Sequence, residues 1–142
     1  MTTIAYRDGV LAADTQLTMN DCVDGTQVKI VQKGPVKAAA SGTAAMCQQF
    51  RDWFLAGMVG DPPPAQHAQN GDWNYWGMLF HGETILCWQA PGWVRIVAPY
   101  FSCGSGADFA SGALAHGASA AEAVRAAMQH DTSTGGEITV LH

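Results

Sequence analysis

Thr2-Thr3-Ile4-Ala5-Tyr6-Arg7-Asp8-Gly9-Val10-Leu11-Ala12-Ala13-Asp14 opens the chain behind Met1 and decides its fold. Two short apolar runs, Thr2 to Tyr6 and Val10 to Ala13, flank Asp8-Gly9. Both residues of that pair tolerate positive φ, so the stretch predicts a tight hairpin. Asp14 follows the second strand directly, and the hairpin would bring its carboxylate back toward Thr2. A chain starting Met-Thr is expected to lose Met1, because the threonine side chain is small, and Thr2 would then carry a free α-amine. A threonine hydroxyl is a poor nucleophile at neutral pH, but an amine on the same residue activates it by taking its proton. With an ordinary pKa of roughly 7.7–8.0, that amine titrates near the working pH. Thr2 is the candidate nucleophile.

Beyond Asp14, the run Thr15 to Gly25 is rich in Thr, Asn, Asp and Gly and reads as a loop. Val28-Lys29-Ile30-Val31 reads as a strand; if Val28 and Ile30 face one way, Lys29 faces the other. Spacing alone leaves Lys29 an ordinary solvent-facing lysine. Val36 to Ala40 predicts another strand, which Ser41-Gly42-Thr43 turns into a helix running to about Gly57. Small residues let a backbone approach a reacting carbonyl, and amides at a helix start meet negative charge. Ser41 and Gly42 are thus candidate main-chain donors, although Ser41 or Thr43 also reads as a plain N-cap. Cys47, Phe50 and Phe54 fall on one helix face as core, with Gln48, Arg51 and Asp52 elsewhere. Gly60 to Asn74, with Pro62-Pro63-Pro64, cannot be a regular helix.

Tyr75 to Phe80, a turn at His81-Gly82-Glu83 and Thr84 to Gln89 predict a hairpin, with Trp93 to Ala98 a further strand. Trp73, Trp76, Trp88 and Trp93 cluster here, either in sheet packing or on a peptide-binding or oligomer surface. Gly104-Ser105-Gly106 leads into a helix from Ala107 to Gly117, with Phe109, Ala110, Ala113 and Leu114 on its buried side. Ser119-Ala120-Ala121-Glu122 is a capping box. The helix it starts buries Ala120, Val124, Ala127 and Met128. Asp131 to Gly136 reads as a helix end with a Gly-Gly turn, and Glu137 to Leu141 as the last strand.

Taken in order, Thr2-Thr3, Asp8-Gly9, Ala13-Asp14, Lys29, Ala40-Ser41-Gly42-Thr43, Gly104-Ser105-Gly106 and Asp131-Thr132-Ser133-Thr134-Gly135-Gly136 resemble the proteasome β-subunit family, including the bacterial peptidase HslV. Each match is weak alone; their shared order over nearly the whole chain is the specific signal. The resemblance implies an α+β fold, the four-layer αββα sandwich of N-terminal-nucleophile (Ntn) hydrolases, with two antiparallel sheets and, here, reduced helical layers. It implies a threonine peptidase in which Lys29, held by Asp14, favours the Thr2 alkoxide. Ser105, Asp131 and Thr134 would orient the amine, and N–H groups of Ser41 and Gly42 would hold the oxyanion. No metal or cofactor is called for. Ser41 stands where the family usually has glycine, Thr134 where it usually has serine, and the second long helix of the family is missing. Family members form homo-oligomeric rings, some with an ATPase unfoldase, and compact relatives resemble those of bacteriophages. The rival expectation is a catalytically silent structural or assembly protein, for example of a phage virion, with Met1 retained. A small-amide or acylase activity would use the same nucleophile.

Composition narrows the choices. The 142 residues, 48% of them hydrophobic, suit one domain over 1–142 with a single sizeable core. A net charge of −5 with only seven Lys and Arg argues against a phosphate-binding surface, hence against nucleic acid as a ligand. The 13% charged fraction suits a partner or oligomer surface. No apolar run approaches the ~20 residues of a membrane helix, and no signal-peptide pattern opens the chain, so a cytoplasmic protein is expected. Cys22, Cys47, Cys87 and Cys103 lack C-x-x-C spacing and read as buried free thiols.

Overall fold

In the computed structural model, which describes residues 2–67 and 69–142, the opening hairpin forms as predicted. Strand β1 (Thr3–Arg7) pairs antiparallel with β2 (Val10–Ala13), Arg7 opposite Val10, and both turn residues, Asp8 and Gly9, have positive φ. Around this pair a four-stranded antiparallel sheet is completed by β10 (Tyr100–Gly104) beside β1 and β11 (Thr139–Leu141) beside β2. A second antiparallel sheet runs in the order β5 (Ile30–Lys33), β6 (Val36–Gly42), β7 (Tyr75–His81), β8 (Thr84–Gln89), β9 (Gly92–Val97). Among the described residues three helices complete the fold: α1 (Ala44–Leu55), α2 (Ala107–Ala115) and α3 (Ala120–Met128). The fold is α+β. Among the described residues no helix is long and apolar enough to cross a membrane.

Strand alternation distributes the core. Ile4, Tyr6, Leu11 and Ala13 of the first sheet meet Ile30, Ala39, Met78, Phe80, Ile85 and Cys87 of the second in one buried cluster. The alternate residues Ala5 and Ala12 turn the other way, onto Ala110, Leu114, Ala123, Val124 and Ala127 of α2 and α3. On the far side of the second sheet, Ala38 and Ala40 pack with Cys47, Phe50 and Phe54 of α1, together with Tyr75 and Trp88. Gly77 lets α1 sit close, since a Cβ there would lie 2.2 Å from Cε2 of Phe50. Each large apolar side chain buried this way contributes about 1.5–3 kcal/mol.

Several expectations are corrected. Thr15 to Gly25 is not a loop but mostly a third, two-stranded sheet, β3 (Gln16–Met19) with β4 (Cys22–Thr26). Its two-residue turn, Asn20-Asp21, has positive φ at both positions without a glycine. The Val28–Val31 strand starts instead at Ile30; Val28 is exposed while Lys29 and Ile30 are both buried, because Lys29 sits in the connection ahead of the strand. Tyr100 to Gly104 forms a strand that patterning missed, and the last strand is shortened to Thr139–Leu141. Arg51 is buried along with Cys47, Phe50 and Phe54, whereas Phe109 is exposed. Met128 is only partly buried, and Ala123 takes its place in the core. Cys22 is exposed and Cys103 half-buried, so only Cys47 and Cys87 are buried thiols. Ser119 does cap α3, accepting from the Glu122 N–H at 3.2 Å. Gly60 to Asn74 has neither helix nor strand among the described residues apart from a single His67–Trp73 bridge. Trp88 is buried while Trp76 and Trp93 are over a third exposed. Trp93 packs against both Trp88 and Trp53, at 5.3 and 6.3 Å between ring centres.

Candidate active site

Thr2 immediately precedes β1 and is buried, 7% exposed. Its position is set from behind by Gly104 at the end of β10, whose φ is +99°. A Cβ at Gly104 would lie 1.8 Å from the Thr2 carbonyl oxygen, so only glycine lets the two backbones meet. The strand pairing that places Thr3 opposite Gly104 thereby brings the Gly104-Ser105-Gly106 turn against Thr2.

On one side of Thr2 lies a buried ion pair. Asp14, at the end of β2, is 0% exposed. Its Oδ1 accepts from the Lys29 ammonium and from the Thr3 N–H, each at 2.9 Å, and its Oδ2 accepts from the Gly135 N–H at 3.2 Å. Burial pushes the Lys29 ammonium below its usual range; the Asp14 carboxylate pulls it back up, and the Arg51 charge lowers it further. Burying a charge is tolerable only when it is paired in this way.

On the other side is a hydroxyl and carboxylate network. Asp131 Oδ2 accepts from Ser105 Oγ and from Thr134 Oγ1, each at 2.6 Å, and Oδ1 accepts from the Ser133 N–H at 3.0 Å. Partial burial pushes the Asp131 carboxyl up, but the bonds from Ser105, Thr134 and Ser133 outweigh it and hold it below its ordinary value. Since Thr134 gives its hydrogen to Asp131, Thr3 Oγ1 is the donor in its 2.6 Å contact with Thr134 Oγ1. Likewise the Ser105 hydrogen is committed to Asp131, because its distance to the Thr2 carbonyl is 3.5 Å. Ser105 Oγ is left as an acceptor beside Thr2.

In front of Thr2 is a cavity of about 20 Å³, lined by Thr2, Lys29, Gly42, Cys47, Arg51 and Gln27 among others. That is room for about one water. Gly42 closes β6 at φ +128°, where a Cβ would lie 2.4 Å from the Asn74 carbonyl oxygen. Ser41 does not line the cavity; it pairs with Trp76 in the β6–β7 ladder. The Thr43 N–H donates to the Asn74 carbonyl at 2.8 Å. Of the main-chain groups named from sequence, Gly42 is therefore the one placed at the cavity.

The structure thus brings Thr2, Asp14, Lys29, Ser105, Asp131 and Thr134 to one end of the first sheet. Met1, whose removal the sequence reading requires, lies outside the described residues. Sequence reasoning missed Thr3, which ties the two networks through its N–H and its hydroxyl. It missed Gly135, whose N–H reaches Asp14, and it missed Cys47 and Arg51 as cavity walls. A usable signal for Arg51 existed: positions 47, 51 and 54 lie on one helical stripe, and the arginine interrupts it. Burial pushes the Cys47 thiol up to about 11, so it stands in the cavity as a neutral group.

No family model and no curated protein matches the chain. Among solved structures it is similar to Thiobacillus denitrificans BPH, with a TM-score of 0.67 and 19% identity over 99% of this chain and 95% of that one. It is similar also to Thiobacillus denitrificans BPH in complex with epoxomicin, with a TM-score of 0.66 and 18% identity over 99% of this chain and 96% of that one. A likeness of this size at this identity is a likeness of fold.

Proposed function

We propose that this chain is a threonine-type Ntn hydrolase of amide bonds, built on the four-layer αββα sandwich of that class. One observation carries the reading. Thr2 shares a small cavity with Lys29, and the Asp14 that holds Lys29 also holds the N–H of the residue next to Thr2. Loss of Met1 frees the Thr2 α-amine; while Met1 is attached, that nitrogen is an amide and no base. The amine takes the proton of Thr2 Oγ1 as that oxygen attacks the substrate carbonyl carbon. The Lys29 charge favours the negative charge building on Oγ1, and Ser105 Oγ accepts from the α-ammonium, steadied by Asp131. The Gly42 N–H would meet the tetrahedral oxyanion, a contribution of about 3–4 kcal/mol for a well-aimed donor. Collapse breaks the C–N bond, the leaving amine takes the proton from the α-ammonium, and an ester on Thr2 remains. Water, deprotonated by the α-amine, attacks that ester, releasing a carboxylic acid and restoring the hydroxyl. The sum is amide plus water to acid plus amine.

A peptide substrate, a homo-oligomeric ring, an ATPase unfoldase or other assembly partner, and a cytoplasmic location belong to the same proposal. Epoxomicin, bound by the Thiobacillus protein of similar fold, is the first compound to try at this site. The test begins with intact mass, to identify chains that start at Thr2, followed by hydrolysis of a peptide library. Thr2→Ala should abolish turnover with the fold intact, and Lys29→Ala should nearly do so. Unchanged hydrolysis by Thr2→Ala would overturn the assignment. Met1 retained in the mature assembly would favour the structural role.

A further inference from the structure

The outer face of the five-stranded sheet is only partly covered. On it Ala38 of β6, Leu79 of β7, Leu86 of β8 and Arg95 of β9 stand in direct register, one beside the next across four strands. Ala40, Gly77, Trp88 and Trp93 form a second row on the same face, two residues along each strand. Helix α1 covers the second row and the Ala38 end of the first, where Ala38, Ala40 and Trp88 pack with Phe50 and Phe54. Past that end Leu79 and Leu86 are half-buried and Arg95 is exposed.

A cavity of about 390 Å³ lies over the uncovered part of this face. Leu79, Leu86 and Val36 give it an apolar floor, and Met58, two residues beyond the α1 cap Ala56, forms a wall. A Schellman turn puts Met58 there: the Gly57 N–H donates to the Phe54 carbonyl at 3.1 Å and the Met58 N–H to the Trp53 carbonyl at 3.0 Å. Met58 takes φ +57°, a left-handed conformation that is unfavourable for a residue with a Cβ. The turn leaves its side chain 41% exposed at the edge of the cavity.

The polar lining carries one sign of charge. Arg95, His81 and Thr84 line the cavity, and among the described residues no Asp or Glu does. Nor does any hydrogen bond or ion pair among those residues engage the Arg95 guanidinium. His81 and Thr84 face each other at the β7–β8 turn, one row along from Leu79 and Leu86. A mostly apolar hollow of roughly 300–1,000 Å³ with a few convergent polar groups is the usual form of a small-molecule site. A guanidinium offers five N–H donors in a fork that matches a carboxylate.

We propose that this cavity binds a monocarboxylate with an apolar body, of the class of a medium-chain acyl carboxylate. Its carboxylate meets Arg95, with His81 and Thr84 as hydrogen-bonding neighbours, and its chain lies along Leu79, Leu86, Val36 and Met58. One arginine matches one negative charge, and a compact polyanion would leave the apolar floor uncovered. None of the lining residues borders the Thr2 cavity, so the site stands independently of the hydrolase reading.

The test is calorimetry on the full chain with octanoate, below the concentration at which it forms micelles. Octanamide keeps the chain without the charge, and acetate keeps the charge without the chain. Octanoate should bind about tenfold or more tighter than octanamide, the size of one charge-assisted hydrogen bond. From butanoate to octanoate, each methylene that becomes buried should tighten binding by up to about fourfold, and acetate should not bind. Arg95→Gln, at an exposed position, should bring octanoate and octanamide to equal affinity, while Met58→Ser should weaken both alike. Thr2→Ala should bind octanoate as wild type does. No octanoate binding by wild type, equal binding of octanoate and octanamide, or octanoate binding unchanged in Arg95→Gln would each overturn the proposal. Loss of binding in Thr2→Ala would place the ligand in the other cavity and overturn it too. Tighter binding of the carboxylate peptide acetyl-Leu-Leu than of octanoate would make the ligand a peptide end and overturn the acyl class. Should Arg95→Gln fail to fold, the wild-type series decides alone.

Discussion

Replacing Asp14 with alanine tests how much of the molecule hangs on one carboxylate. Asp14 is fully buried and accepts from the Lys29 ammonium, the Thr3 N–H and the Gly135 N–H. Removing it leaves an ammonium buried without its counter-charge, a loss of about 3–5 kcal/mol in comparable pairs. It also leaves two buried amide hydrogens without acceptors, at about 1–3 kcal/mol each. The lower ends of these ranges already give about 5 kcal/mol, a large share of the roughly 5–15 kcal/mol that holds a domain folded. Lys29→Met is the informative partner variant. It removes the ammonium but leaves the Asp14 carboxylate with both N–H bonds, so its cost should be smaller by about 2 kcal/mol. Urea unfolding followed by tryptophan fluorescence measures both, provided the slope of free energy against urea stays constant. Two outcomes would refute the reasoning. If Asp14→Ala costs under about 1 kcal/mol, the buried ion pair is not a structural element. Equal costs for the two variants would mean that the bonds to Thr3 and Gly135 contribute nothing.

Glycines give a matched pair of predictions. Gly112→Ala in α2, where an added Cβ meets nothing within 4 Å, should stabilise by about 0.5–1 kcal/mol. Gly77→Ala drives its Cβ to 2.2 Å from the fully buried Phe50 ring and should destabilise by about 1–3 kcal/mol; thermal melts that reverse either sign would contradict the packing. Ser119→Ala should cost about 1 kcal/mol through loss of the α3 cap, read by urea midpoint. Asp131 supplies a pH signature: its carboxyl is held below the ordinary value of 3.8, so as pH falls the unfolded chain takes up the proton first. Its stabilising contribution is therefore present above about pH 4 and lost as pH drops through the folded value. The stability gap between wild type and Asp131→Asn should narrow from pH 6 to pH 3, and a constant gap would show that the hydrogen bonds to Asp131 do not shift it.

The local parts of this architecture were legible in the sequence. Asp8-Gly9 announces its hairpin because the turn chemistry is confined to two residues, and Ser119 announces α3 because capping is confined to four. The β3–β4 hairpin escaped because Asn20-Asp21 takes positive φ without a glycine to mark it. Tyr100 to Gly104 escaped because its strand character comes from pairing with β1, a contact far away in sequence. The candidate site was legible as an order of motifs, while its joints were not. Thr3 reads as an ordinary strand residue until Thr134 arrives at its hydroxyl, 131 positions away. Lys29 reads as exposed until Asp14 makes burial affordable. Arg51 lay in view on an apolar helical stripe, but amphipathic reasoning assigns a lone charge to solvent by default.

Joining those distant pieces gives the site a double character that governs how its variants must be interpreted. The carboxylate that fixes Lys29 beside Thr2 also ties β1 to the segment before β11, through Thr3 and Gly135. Lost activity in Asp14→Ala therefore does not separate chemistry from structure, and Lys29→Ala shares the ambiguity because it strands the Asp14 charge. Thr2 differs: its side chain is not among the three partners of Asp14, nor in the Thr3–Thr134–Asp131–Ser105 chain of hydroxyls and carboxylate. Thr2→Ala removes the oxygen that the proposed mechanism makes the attacking atom and leaves both networks in place. A Thr2→Ala protein that melts like wild type and does not hydrolyse would assign the loss to the nucleophile; if it melts far lower, the buried hydroxyl belongs to the fold as much as to the chemistry.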